Sequence, residues 1–180
     1  MATNGPMKVT ARDATIADLP ELLRMYAELS AEQSAIREIW PFADGLDEPV
    51  DESITSLLRD DLATTIVGEI DGTTVGFLVA IEEPLLEPRS ARVIGVVRLV
   101  FTDYEARGVG VGAAMLDGVM ERLAGRGIDL FDARVSPGHR LAKNFFESNG
   151  FKARSITMHR SDAGSDAFDN GHRDPSGGST

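Results

Sequence analysis

The sequence predicts a mixed α/β domain running from residue 8 to residue 160, with the element order β-α-α-β-β-β-α-β-α-β. Three observations carry that prediction. Apolar residues switch along the chain between helical spacing and strand alternation. Asp71-Gly72 joins two β-branched runs, as in a tight hairpin. The glycine-rich stretch "DYEARGVGVGAAM", Asp103 to Met115, lies between a long strand-like run and a helix-like one.

In chain order, "KVTARDA" alternates apolar and polar residues and reads as an edge strand. Thr15 caps "TIADLPELLRMYAELS", where Leu19, Leu22, Leu23, Tyr26 and Leu29 recur at helical spacing. A loop containing "EIWPFADG" and an acidic run leads to a short second helix over "SITSLLRDDL". "TTIVGEI" and "TTVGFLVAI" form the hairpin, and "RVIGVVRLVFT" makes a long strand. The helix opened by the glycine stretch has an apolar stripe of Leu116, Val119, Met120 and Leu123, and Gly125 and Gly127 end it. "IDLFDARV" reads as a strand, "HRLAKNFFESNG" as a helix stopped by Gly150, and "FKARSITMHR" as a last strand. Residues 1–7 are expected to form a flexible N-terminus and residues 161–180 a mobile polar tail.

Composition narrows the chemistry. At 180 residues, 42% hydrophobic and 26% charged, the chain fits one globular domain with a proper core. No apolar run reaches the ~20 residues of a membrane span. "MATNGPMK" lacks the apolar core of a secretory signal, so a cytoplasmic location is expected. With no cysteine there is no disulfide, thiolate zinc site or cysteine nucleophile. His139, His159 and His172 show no metal-ligand spacing, so no metal is expected. A net charge of −11 argues against nucleic acid as partner. The acid gathers in "DGLDEPVDES", Asp44 to Ser53, followed by Asp60 and Asp61. It is either a solvated surface or a rim that draws in a cationic substrate.

Backbone N–H groups at a helix start attract anions, phosphates above all. Gly108-x-Gly110-x-x-Ala113 formally satisfies the dinucleotide fingerprint, with Asp132 about twenty residues on. The context opposes it. "TDYEAR" intervenes after Phe101, and most of the domain lies before the loop rather than after it. A nucleotide-triphosphate loop is excluded, because no Gly-Lys-Ser/Thr follows. The competing unit is Arg107-x-x-Gly110-x-Gly112, which resembles the pyrophosphate signature of the GNAT superfamily of N-acetyltransferases. "ARDATIADLPELL" looks like that family's first strand and helix, and "RLVFTDYEARGVGVGAAML" like its central strand, turn and helix. "HRLAKNFFESNGF" is similar to its closing segment. Together these cover residues 8 to 160 in the right order.

The resemblance implies a mixed, centrally splayed β-sheet flanked by helices, with acetyl-CoA or another short acyl-CoA in the splay. The implied cofactor residues are Val100, Phe101 and Thr102, whose backbone would pair with the pantetheine arm. Arg107, Gly108, Val109, Gly110, Val111, Gly112 and Ala113 would surround the pyrophosphate, aided by the helix dipole. His139, Lys143 and Phe146 on the closing helix complete the set. Lys143 would reach a CoA phosphate or sit on a solvated helix face. The implied reaction moves an acetyl group to a primary amine by direct attack, and a small cationic molecule or a peptide is the acceptor expected.

Proton carriers are where the pattern breaks. The family's usual acid is a tyrosine four residues before the glycine of Gly-Phe, and here that position is Phe146. A glutamate used by some relatives on the preceding strand is replaced by Arg134. The catalytic candidates are then Asp132, on the same strand face, and His139, which is equally readable as a helix cap. Glu82 and Glu83 could serve the acceptor through water. Trp40 and Phe42 either line an acceptor pocket or cover the core. Arg98 either orients an acceptor carboxylate or pairs with a neighbouring strand, and Tyr104 reads as a packing or surface residue rather than a relocated acid. These departures keep open a second reading, an acyl-CoA-binding module with little turnover. Dimers are common in the family, so a homodimer is a further expectation.

Overall fold

The computed structural model describes residues 6–35, 45–85, 92–136 and 138–156. Among the described residues, five strands form one sheet in sequence order: β1 (Val9–Asp13), β2 (Ala63–Ile70), β3 (Thr73–Pro84), β4 (Val93–Thr102) and β5 (Phe131–Ala133). The first four pair antiparallel and β5 runs parallel to β4. The β2–β3 turn has positive φ at both Asp71 and Gly72, as the sequence predicts for a primed hairpin turn. Helices α1 (Leu19–Ala35) and α2 (Val50–Leu57) cover one face, and α3 (Val111–Gly125) covers the other. The last helix, α4 (Arg140–Ser148), packs beside α3 through Phe145 and Phe146.

Alternation along the strands builds two cores. Ile66, Leu78, Ala80 and Val97 turn toward Met115, Leu116, Val119 and Leu123 of α3. Val67, Phe77, Val79, Leu99 and Phe101 turn toward Leu22, Met25, Tyr26 and Leu29 of α1 and Ile54 of α2. Each Val, Leu, Ile, Met or Phe side chain among them, fully buried, contributes about 1.5–3 kcal/mol. Glycines in the strands make room for α3 against the sheet. A Cβ at Gly68 would stand 2.6 Å from Val111 Cγ1, and one at Gly95 would stand 2.5 Å from Leu123 Cδ1.

The central strands part where β4 carries an extra residue. Leu99 lies opposite Val79, but Val97 lies opposite Ala80, so Arg98 is a bulge. Strand β5 accompanies β4 only at Gly95, Val96 and Val97, then departs after Arg134 N–H reaches the Val97 carbonyl at 3.2 Å. Among the described residues, nothing pairs with the remaining edge of β4 as a strand. This is the splay.

Several elements differ from expectation. Thr15 caps a single 3-10 turn, Ile16–Asp18, before α1 begins at Leu19. The Asp18 carboxylate accepts from the Thr15 N–H at 2.7 Å and from its hydroxyl at 3.0 Å. Helix α2 starts at Val50, not Ser53, and stops at Leu57. Asp51 and Glu52 suit a helix N-terminus, whereas Asp60 is spent on a turn, accepting from the Leu62 N–H at 2.9 Å. Strand β5 keeps three residues of the predicted run, because β4 offers no more straight edge than that. Residues 151–156 are not a strand: after Phe151 they are exposed, while the Phe151 N–H closes the end of α4 on the Phe146 carbonyl at 3.0 Å. The rest of that predicted strand, residues 1–5 and the 161–180 tail lie outside the described residues.

Candidate active site

The glycine stretch emerges from β4 through a one-turn 3-10 helix, Tyr104–Ala106, and enters α3. Gly108 and Gly110 adopt φ of +80° and +96°, the left-handed region that residues with a Cβ resist. Gly110 is the α3 N-cap, and its carbonyl takes the Ala114 N–H at 2.9 Å. The N–H groups of Val111, Gly112 and Ala113 therefore have no acceptor inside the helix and point out of its start. Gly112 has a different reason: a Cβ there would stand 3.0 Å from the Phe145 ring. Val109 is exposed, and Val111 is buried beneath the helix.

Beside this turn runs the free edge of β4. The Asp103 N–H bonds the Val75 carbonyl at 2.8 Å, toward β3, so strand alternation turns the main chain of Thr102 and Val100 to the open side. Phe101 buries its ring on the α1 face. An unpaired strand edge leading to orphan N–H groups at a helix start fits an extended, amide-bearing arm that ends in a diphosphate.

Arg107 is more tightly held than a free phosphate ligand. Its Nε donates to the Thr102 carbonyl at 2.9 Å, and its Nη2 donates to Glu32 Oε1 of α1 at 2.5 Å. The guanidinium also lies 5.7 Å from the Phe101 ring centre and 5.6 Å from that of Tyr104. Two turns earlier in α1, Arg24 reaches both oxygens of Asp103 at 3.1 Å, while also pairing with Glu21 and Glu28. Helix α1 thus grips the turn at both of its ends. Sequence reading missed Arg24 and Glu32, because their partners are 79 and 75 residues away and no local pattern announces them.

The other candidates are distributed as follows. His139 caps α4, its Nδ1 accepting from the Ala142 N–H at 3.1 Å. Phe146 is 4% exposed and meets Phe145 and Phe151 edge-on inside the core under α3. Lys143 pairs with Glu147 one turn along an exposed helix face. Asp132 is held by Arg154, whose Nε lies 2.8 and 3.0 Å from its two oxygens. Glu83 accepts from Arg98 at 3.1 Å and from Arg134 at 2.8 Å, so Arg98 does pair with a neighbouring strand. Glu82 Oε1 is buried without an aligned donor, although Arg126 Nη1 approaches to 3.1 Å. Tyr104 is 81% exposed. Trp40 and Phe42 lie outside the described residues. Among the described residues, no three His, Asp or Glu side chains cluster as metal ligands would, and no helix is long and apolar enough to cross a membrane.

Comparison with known proteins agrees with this geometry. A curated L-2,4-diaminobutyric acid acetyltransferase from Nocardia farcinica is 33% identical over 103 residues. That stretch is 56% of this chain and 51% of the relative, so the match spans about half the length of the curated protein. A transcriptional regulator from Bacillus halodurans superposes with a TM-score of 0.67 at 26% identity, over 85% of this chain and all of the other. An aminoglycoside N-acetyltransferase solved in complex with CoA shares the fold at 13% identity, with a TM-score of 0.67 over 90% of this chain and 99% of its own. The model of the acetyltransferase (GNAT) family matches residues 22–151, which contain the free edge, the glycine turn and both flanking helices. The chain belongs to the GNAT family of acetyltransferases.

Proposed function

We propose that the chain transfers an acetyl group from acetyl-CoA to a primary amine, using residues 8–160 as one catalytic domain. The observation that carries the reading is the alignment of the free β4 edge with the outward N–H groups at the start of α3. The main chain of Val100, on the edge that Arg107 closes at the Thr102 carbonyl, would pair with the amides of the pantetheine arm. The N–H groups from Gly108 to Ala113 would cradle the pyrophosphate at the positive end of the helix.

Bound there, the thioester supplies an electrophilic carbonyl. The chain's task is to hold a neutral amine against it and to offer a donor where the carbonyl oxygen gains charge. The Val100 N–H, on the open side of β4, is such a donor. An alkyl ammonium has a pKa near ~10.4, so a proton must leave before attack. Phe146 has no hydroxyl and lies in the core, and Asp132 is held in its pair with Arg154. His139 keeps one ring nitrogen outside its cap bond, whereas Glu83 is held by Arg98 and Arg134 and Glu82 lies against Arg126. Proton transfer through His139 and water would suffice once proximity has been provided.

The acidic chain favours a cationic acceptor. Diaminobutyric acid, the acceptor named for the Nocardia relative, carries two ammonium groups and one carboxylate, and so belongs to that class. The test is thiol release from acetyl-CoA with diamino acids, polyamines, aminoglycosides and basic peptides. Release with one of these classes is expected. Tight donor binding without release from any amine would favour a binding module, and no binding of any CoA thioester would remove the donor site itself.

A further inference from the structure

We infer that Glu32 is a positioning residue for the acyl donor, acting through Arg107 to fix the end of the free β4 edge. The inference rests on the donor site proposed above. Arg107 Nε donates to the Thr102 carbonyl, which belongs to that edge, so the guanidinium closes the edge at Thr102 and leaves Val100 open toward the bulge. The same guanidinium is aimed by Glu32, three residues before the end of α1, and lies near the rings of both Phe101 and Tyr104.

One planar fork therefore joins a helix on one side of the sheet to the edge strand and to the residue that starts Arg107-x-x-Gly110. Lysine could not do this, having no second nitrogen to divide between a carbonyl and a carboxylate. In the described geometry the Arg107 charge is directed at Glu32, not toward the outward N–H groups of α3. Its work is to set where an extended ligand can begin to pair and how the glycine turn is presented to the diphosphate. With side-chain exposures of 29% for Arg107 and 38% for Glu32, the pair adds little to global stability. A purely structural role and a positioning role therefore predict different readouts.

The experiment measures binding of acetyl-CoA and of S-acetyl-pantetheine, which lacks the diphosphate, by calorimetry. It uses the full chain and its Glu32→Gln, Arg107→Met and double variants, with thermal unfolding alongside. Each single variant should weaken both donors about tenfold, the double variant should be no worse than Arg107→Met, and the melting temperature should hardly move. Loss confined to acetyl-CoA in Arg107→Met, with Glu32→Gln unaffected, would make Arg107 a direct phosphate ligand and overturn the inference. A lowered melting temperature with unchanged binding would make the pair structural and overturn it too. If the unaltered chain binds neither donor, the donor site falls first and the inference with it.

Discussion

Ahead of α3, Gly108 and Gly110 hold left-handed dihedrals, and a Cβ on either would meet nothing within 4 Å. Beneath α3, Gly68, Gly76 and Gly95 stand outside the left-handed region, and a Cβ on any of them would collide at 2.8 Å or less. Both sets read as glycine in the sequence, yet one supplies conformation and the other clearance. The sheet glycines lower α3 onto the strands, which brings its N-terminus level with the β4 edge. The turn glycines then rotate the backbone so that its N–H groups face outward. Scaffold and site are thus built from the same residue type by separate physical means, and they should fail separately.

The largest expected effect tests the scaffold. In Gly95→Val the new side chain meets Leu123 Cδ1 of α3 at 2.5 Å and the Phe131 ring at 3.3 Å, away from the open edge of β4. Denaturant titration should show a loss of about 3 kcal/mol, with acetyl-CoA affinity of the folded fraction preserved. The next tests the site. Gly110→Ala forces a Cβ into the left-handed region at a strain of about 1–2 kcal/mol. Calorimetry should show donor affinity falling by more than that stability change accounts for. Equal losses of stability in the two variants, with donor binding intact in both, would collapse the distinction.

The smallest effect lies at the β1–α1 corner, remote from both sets. Hydrogen bonds from Arg12 hold the Asp18 carboxylate well below its usual range, to about 2, against the cost of burial. The unfolded chain binds more protons there, so this pair's contribution is complete above a pH of about 4 and is lost as pH falls toward 2. Asp18→Asn should flatten that acid limb in thermal unfolding scans and leave donor binding at neutral pH unchanged.

Much of this was legible because its signals are local. Asp71-Gly72 announced the hairpin, and Arg107 to Gly112 announced the glycine turn between a strand and a helix. The sequence reading drew nothing from the strand glycines, because the helix they make room for follows them by more than a dozen residues. The bulge at Arg98, which ends β5 early, has no residue-type signature. Phe145 and Phe146 are adjacent in sequence, and only the fold decides that Phe145 meets Gly112 while Phe146 enters the core. The grip of Arg24 and Glu32 on the turn depends on bringing α1 against the end of β4, which no spacing encodes.

The central claim is that the outward N–H groups of the turn and the open edge of β4 together hold the acyl donor. Backbone amide resonances followed by NMR during titration with acetyl-CoA test it most directly. Val100 and Gly108 through Ala113 should shift strongly, while Gly68, Gly76 and Gly95 stay in place. Shifts among the sheet glycines with the turn unmoved, or no shift at saturating acetyl-CoA, would contradict it.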